Sequence, residues 1–224
     1  MTKPSLRDRQ ILDHVARYRL STREFIQRHF FAEAGKSAVS KVVGRLVADG
    51  YLRVCRLANG FHYYVVGQQG REFTDAASDA DRPFTEQSFP LAYGFLAFCS
   101  AHGVRRLTSS EFQTTFPELC RPRMKTGSFY ADARHTPARL GTVLVDRGNP
   151  PKLIIRKLQR LLAQHYRLPN FAQRIQAGQF CVTILTAWPL KQRLLASAVK
   201  LGFRAALPVE VVTVPELQLF YRRV

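Results

Sequence analysis

Residues 36–66 carry the most restrictive pattern in the chain. Val39, Val42, Val43, Leu46 and Val47 recur at i, i+3, i+4, i+7 and i+8, one apolar stripe of an α-helix. Gly50 stands where a helix is commonly left through a positive φ. Two β-rich runs, 51–57 and 61–66, then flank Ala58-Asn59-Gly60, and Asn-Gly in that setting is the strongest short hairpin signal. A helix that buries one side, stops at Gly50 and feeds a tight hairpin leaves few packings open. Its opposite side carries Lys36, Ser37, Ser40, Lys41, Gly44 and Arg45, all short or cationic.

Two helices precede it. Leu6, Ile11, Leu12, Val15 and Ala16 predict a helix to about Tyr18, with Ser5 ahead of it. Ser21-Thr-Arg-Glu24 reads as a capping box for a second helix bearing Phe25, Ile26, Phe30 and Phe31. Gly35-Lys36-Ser37 reads as the following turn, with Ser37 as the N-cap. Helix, helix, turn, helix, hairpin is the order of the winged helix-turn-helix. The major groove of DNA admits one α-helix, whose N-terminal side chains meet base edges. This reading puts Ser37, Ser40, Lys41 and Arg45 at the bases. It puts Arg53, Arg56, Asn59 and His62 of the hairpin near phosphates or the minor groove, and Lys36 at the backbone.

Charge supports a polyanionic partner. The 224 residues hold 34 Lys and Arg against 16 Asp and Glu, a formal net charge of +18. An excess of that size opposes compaction and favours association with nucleic acid. It is distributed unevenly: 13 basic and 6 acidic residues in 1–74, 1 and 4 in 75–90, and 20 and 6 in 91–224. The small, polar, acidic stretch 75–88 reads as a linker between a DNA-binding domain (1–74) and a second basic domain (89–224). No uninterrupted apolar run reaches membrane-spanning length, and charge occupies the N-terminus where a signal peptide needs apolar residues. Cys55, Cys99, Cys120 and Cys181 are too far apart for zinc knuckles. A cytoplasmic, nucleoid-associated protein without metal or other cofactor is expected.

The second domain alternates strands and helices. Helices are predicted over 89–102, from Thr108 to Phe116, from Pro151 to about Tyr166 and over 190–201. Strands are predicted over 129–133, 140–146, 179–186 and 209–214, which implies an α/β layer with some parallel pairing. Lys152, Arg156 and Arg160 fall at i, i+4 and i+8 on the long helix. They form either a stripe for phosphates or a solvated face. The basic loop Arg121-Pro-Arg-Met-Lys125 allows the same two readings.

Several short motifs carry a resemblance. They are the run from Arg45-Leu46 to Tyr64-Val65 with Gly70, then Ala131-Asp132-Ala133, Leu144-Val145-Asp146-Arg147-Gly148 and Lys157-Leu158. In these the chain resembles the replication-relaxation family of plasmids and other mobile elements. The resemblance implies an N-terminal winged helix joined to a restriction-endonuclease-like domain. Such a nuclease needs an acid on one strand, then an acid and a Lys two residues apart on the next, to hold Mg²⁺ and activate water. Asp132 matches the first acid, but Leu144 and Asp146 stand where the second acid and the Lys belong. Asp132 and Asp146 are therefore relic candidates, and the domain is expected to lack its catalytic set. No His-x-His, Gly-rich phosphate loop, His-Glu-x-x-His or Gly-x-Ser-x-Gly occurs.

These observations lead to an expected fold and function. The fold is α+β or α/β, a winged helix followed by a mixed α/β endonuclease-like domain. The function is sequence-specific double-stranded DNA binding as a transcriptional regulator of a mobile element, by a homodimer without membrane association. The alternatives are a DNA-nicking relaxation protein using Asp132, Asp146 and a Tyr, and a protein-binding accessory module of a mobilisation complex.

Overall fold

The computed structural model describes residues 3–74, 83–121, 127–202 and 208–221. The chain divides into two compact units, residues 1–96 and 97–224. Most of the expected linker (75–82) and most of the basic loop (122–125) lie outside the described residues.

The first unit contains α1 (Leu6–Tyr18), α2 (Arg23–Phe30), α3 (Lys36–Ala48) and an antiparallel hairpin of β1 (Leu52–Arg56) and β2 (His62–Val66). Ser5 caps α1 in a complete capping box with Asp8. The cap of α2 is Thr22, not the expected Ser21. Ser21 is occupied elsewhere: its backbone exchanges hydrogen bonds of 3.0 and 2.8 Å with Tyr64, and its Oγ lies 3.1 Å from His14 Nε2. α3 starts two residues earlier than read, with Gly35 as an N-cap that offers no side chain, so Ser37 is inside the helix. Its C-terminus is a Schellman motif: Gly50 (φ +75°) donates to Val47 O and Tyr51 to Leu46 O.

The hairpin turn also differs in detail. Gly60 alone takes a positive φ (+84°), Leu57 N–H donates to Phe61 O, and Gly60 N–H donates to Leu57 O. This is a three-residue loop closed by a left-handed glycine rather than a two-residue Asn-Gly turn. Ile11, Leu12, Val15, Ile26, Val39, Val43, Leu46, Leu52 and Val66 form the core.

The long apolar helix α4 (Phe89–His102) carries the boundary between the units, which falls at 96/97 rather than at the expected 88/89. Its first turns pack Phe89 and Tyr93 against the outer side of the hairpin. Tyr63 lies 4.8 Å from Phe89 between ring centroids, and Phe61 lies 5.6 and 5.8 Å from Phe89 and Tyr93. Without that cover the hairpin would expose aromatic rings on one side, so the first compact unit extends to residue 96.

The second unit is a five-stranded mixed sheet in the order β3-β4-β5-β6-β7. Its strands are β3 (Arg105–Arg106), β4 (Phe129–Asp132), β5 (Arg139–Val145), β6 (Phe180–Thr186) and β7 (Val209–Thr213). Pairing is antiparallel from β3 to β5 and parallel from β5 to β7. After the short α5 (Ser109–Thr115), the helices α6 (Pro151–Tyr166), α7 (Pro169–Gln176) and α8 (Pro189–Gly202) connect the parallel strands. Ile154, Leu158, Leu162, Phe171, Ile175, Leu195 and Val199 of these helices pack against Phe129, Leu140, Phe180, Val182 and Ile184 of one sheet face. α7 and β3 escaped the sequence reading: α7 follows α6 almost at once, and β3 has only two residues. The whole is a mixed α and β structure, and no helix among the described residues is long and apolar enough to cross a membrane.

On the opposite sheet face, Tyr130 packs against Gly141, where a Cβ would collide with the hydroxyl end of the phenol ring. Its hydroxyl sits 2.8 Å from Thr183 Oγ1. Gly141→Ala should therefore displace a buried ring and cost about 1–3 kcal/mol in denaturant-measured stability, as overpacking does.

Two half-buried histidines make the fold acid-sensitive. Burial holds His14 at a pKa of about 3 and His165 at about 4, well below the ordinary imidazole value. Both are neutral in the folded chain, whereas the unfolded chain takes up protons below about pH 6.5. Stability should be level above that pH and fall by about 1.4 kcal/mol per pH unit for each histidine, down to its folded pKa. His165 Nε2 is buried without a hydrogen-bond partner, among the rings of Phe129, Phe171 and Phe180. H165F should retain stability at pH 7 and flatten the second unit's loss between pH 6.5 and 4, as followed by urea melts across that range.

Candidate nucleic-acid interface

The rotation of α3 about its own axis decides which side chains this unit presents. Val39, Val43 and Leu46 are fully or almost fully buried, which turns Ser37, Ser40, Lys41 and Gly44 to solvent. These four span two turns of one helix side, and a Cβ built on Gly44 meets nothing within 4 Å. The surface is low and open, and Lys41 is its cation. Lys36 is the first residue of α3.

Arg45 lies elsewhere. Its Nη2 donates to Asp8 Oδ1 at 2.7 Å, and Asp8 is only 2 % exposed while Arg45 is 39 % exposed. Burial alone would raise the Asp8 pKa. The hydrogen bonds from Arg45 and Ser5 outweigh it and hold the carboxyl below its ordinary value. Asp8 thus both caps α1 and ties α1 to the outer side of α3. Sequence reasoning missed this second role because the capping box already explains an acid at that position. A shallow groove of about 500 Å³ opens beside the pair, lined by Ser5, Leu6, Arg7, Gln10 and Val42.

The four hairpin candidates do not form one group. Arg56 and His62 are directly opposed in register near the turn, both exposed, on the strand face that packs Leu52 and Val66 into the core at its other end. Arg53 is exposed on the alternate face, the one that carries Tyr63. Asn59 has its Oδ1 accepting the Phe61 N–H at 3.1 Å, so its side chain braces the turn.

In the second unit, Lys152, Arg156 and Arg160 are all exposed on α6. The two relic carboxylates do not meet. Asp132 pairs with Arg139 at the start of β5, whereas Asp146 follows the end of β5 seven residues later, roughly 23 Å away at about 3.3 Å per residue. Alternation also sends them to opposite faces: Asp132 shares Arg139's face, and Asp146 shares Thr186's.

Each carboxylate has its own partners. Asp132 is 1 % exposed and receives Arg134 Nε and Nη2 at 2.8 Å each, with His135 at 3.5 Å and Arg139 at 3.6 Å. The Arg134 hydrogen bonds, working against burial, bring its pKa down to about 2. Asp146 Oδ1 accepts from the Gly148 and Asn149 amides at 3.0 and 3.1 Å, and Oδ2 from Thr186 at 3.0 Å and Lys191 at 2.7 Å. It anchors the β5–α6 turn. The two relic candidates therefore do not share a site. Among the described residues no group of three or more His, Cys, Asp or Glu is placed to hold a metal.

Comparison of the chain with protein-family models, with curated proteins and with solved structures gave no match.

Because Arg45 serves Asp8, Arg45→Ala should lower the stability of the first unit by about 1–2 kcal/mol, between the exposed and buried limits for an ion pair. Adding Asp8→Ala should cost less than the sum of the two single changes. A double-mutant cycle by chemical denaturation measures the coupling.

Proposed function

We propose that the first unit is a winged helix-turn-helix that reads duplex DNA, and that the protein is a sequence-specific DNA-binding regulator of a mobile element. The observation that carries this reading is α3 itself. One side is locked into the core, and the other offers Ser37, Ser40, Lys41 and an unobstructed Gly44, while the hairpin exposes the Arg56–His62 pair at its turn end. A helix needs that low relief to enter a groove about 12 Å wide, and these groups donate and accept hydrogen bonds as base edges require. The surplus of basic residues in 1–74 supports the same partner.

Within this reading Lys41 is the principal base contact and Ser37 and Ser40 are short donors. Arg56 and His62 flank the duplex, and Arg45 positions α3 instead of reading bases. The likeness to replication-relaxation proteins adds the setting, a plasmid or integrative element, and recognition of two-fold sites adds a homodimer. The DNA-binding reading is favoured over the nicking alternative because Asp132 and Asp146 lie at opposite ends of β5.

The test is selection of bound duplexes from a random library, followed by footprinting. One enriched motif is expected, with affinity falling roughly 10³–10⁵-fold between 50 and 200 mM salt for about 6–10 phosphate contacts. Lys41→Ala should cost about 1–3 kcal/mol on the selected site and relax discrimination at one position. Gly44→Ala separates binding from folding: it should raise helix stability by up to about 1 kcal/mol, and it should weaken binding because the added methyl fills the space a base edge needs. Absence of any enriched motif would overturn the reading.

A further inference from the structure

From Arg147 to Val209 the chain contains no Asp or Glu, yet it contains eleven Lys and Arg. These 63 residues include α6, α7 and α8, the helical layer over one face of the second unit's sheet, and the buried strand β6 between α7 and α8. Two of the cations are spoken for inside the unit, Arg174 by Glu118 and Lys191 by Asp146. Arg147, Lys152, Arg156, Lys157, Arg160 and Arg167, with Arg193 and Lys200 on α8, are all exposed.

The arrangement is locally unfavourable for the free protein. Lys152, Arg156 and Arg160 repeat at i, i+4 and i+8, so each neighbouring pair is a like-charge pair of the kind that destabilises a helix. Lys152 also lies in the first turn of α6, at the positive end of the helix dipole, where an anion belongs. A merely solvated helix face interleaves both signs, which relieves these terms. Along α6 and its C-cap residue Arg167, the line Lys152–Arg156–Arg160–Arg167 runs over 15 residue steps, about 22 Å at 1.5 Å per residue, opposite the buried Ile154, Leu158 and Leu162.

We propose that the outer surface of the α6–α8 layer is a second DNA-binding face, distinct from α3, that holds the phosphate backbone of duplex DNA without reading bases. The choice of duplex DNA as the polyanion rests on the reading of the first unit; the need for a polyanion rests on the acid-free layer alone. Backbone binding needs cations along a line and no shape-matched donors, which is what α6 supplies. Single strands are bound on stacking aromatics, and among the described residues of this layer the large exposed apolar side chains are Leu153, Leu190, Leu194 and Leu201 with a single aromatic, Tyr166.

The test compares the full-length chain with a K152Q/R156Q/R160Q/R167Q variant by fluorescence anisotropy, on a random-sequence duplex and on the site selected for the first unit. Loss of four contacts should lower the slope of log affinity against log salt by about 3–4, and should weaken binding to the random duplex at least ~10-fold near 100 mM salt. The ratio of selected-site to random-duplex affinity should stay unchanged, and the thermal midpoint should hold or rise as repulsion is relieved. An unchanged salt slope with an unchanged midpoint would overturn the proposal. So would loss of binding to phosphatidylserine vesicles with duplex binding intact, which would assign the exposed leucines and cations to a lipid surface. The two faces fail separately: without a selected motif the first-unit reading falls, while the slope on random duplex still decides this one.

Discussion

The first unit depends on how α3 is rotated. Val39, Val43 and Leu46 are drawn out of water by the same core that holds Ile11, Leu12 and Ile26, and burying each such side chain is worth about 1.5–3 kcal/mol. That burial leaves α3 no freedom to turn. The Schellman motif at Leu46–Tyr51 fixes where the helix ends, and Tyr51 joins the core directly after it. Asp8 adds a polar tether through Arg45 on the adjoining side. The exposed surface of Ser37, Ser40, Lys41 and Gly44 is the remainder after these demands are met. It is presented rigidly because the opposite side is packed.

The hairpin is held by a comparable division of faces. One strand face sends Leu52 and Val66 to the core, and the other sends Tyr63 to the α4 residues Phe89 and Tyr93. Only the turn end, with Arg56 and His62, remains exposed on both strands. Ser21 extends β2 at its outer edge by a single bridge to Tyr64, which covers part of an otherwise open edge. In the second unit the strand register decides the chemistry. An antiparallel pairing of β4 with β5 puts Asp132 beside Arg139, and the remaining length of β5 carries Asp146 to the far end. Each carboxylate is then saturated by its own cations and amides.

Legibility in the sequence followed the range of the interactions. α1, α3, α4, α6 and the strands β4 to β7 were predicted within a residue or two, because periodicity, caps and Gly50 are local signals. The capping of α2 was misassigned to Ser21, since a backbone bridge to Tyr64 across 43 residues leaves no local trace. Ser37, Ser40, Lys41 and Gly44 are exposed on α3 as read, whereas Arg45 is drawn into an ion pair. Its partner Asp8 lies 37 residues upstream and already has a visible role in capping α1. The unit boundary was placed ahead of α4 because composition changes there; packing of Phe89 and Tyr93 on the hairpin moved it into the helix.

By itself, the sequence determined the elements and their polar and apolar sides, the concentration of positive charge, and the lack of an acid–lysine pair on β5. All of these are properties of residues separated by a few positions or of composition. Only the tertiary structure decided that Arg45 is tied to Asp8, that Asp132 and Asp146 sit at opposite ends of β5 with partners of their own, and that the three helices of the acid-free stretch after Asp146 cover one face of the sheet. Those outcomes depend on register and on which distant side chains share a buried environment, and no local periodicity encodes either.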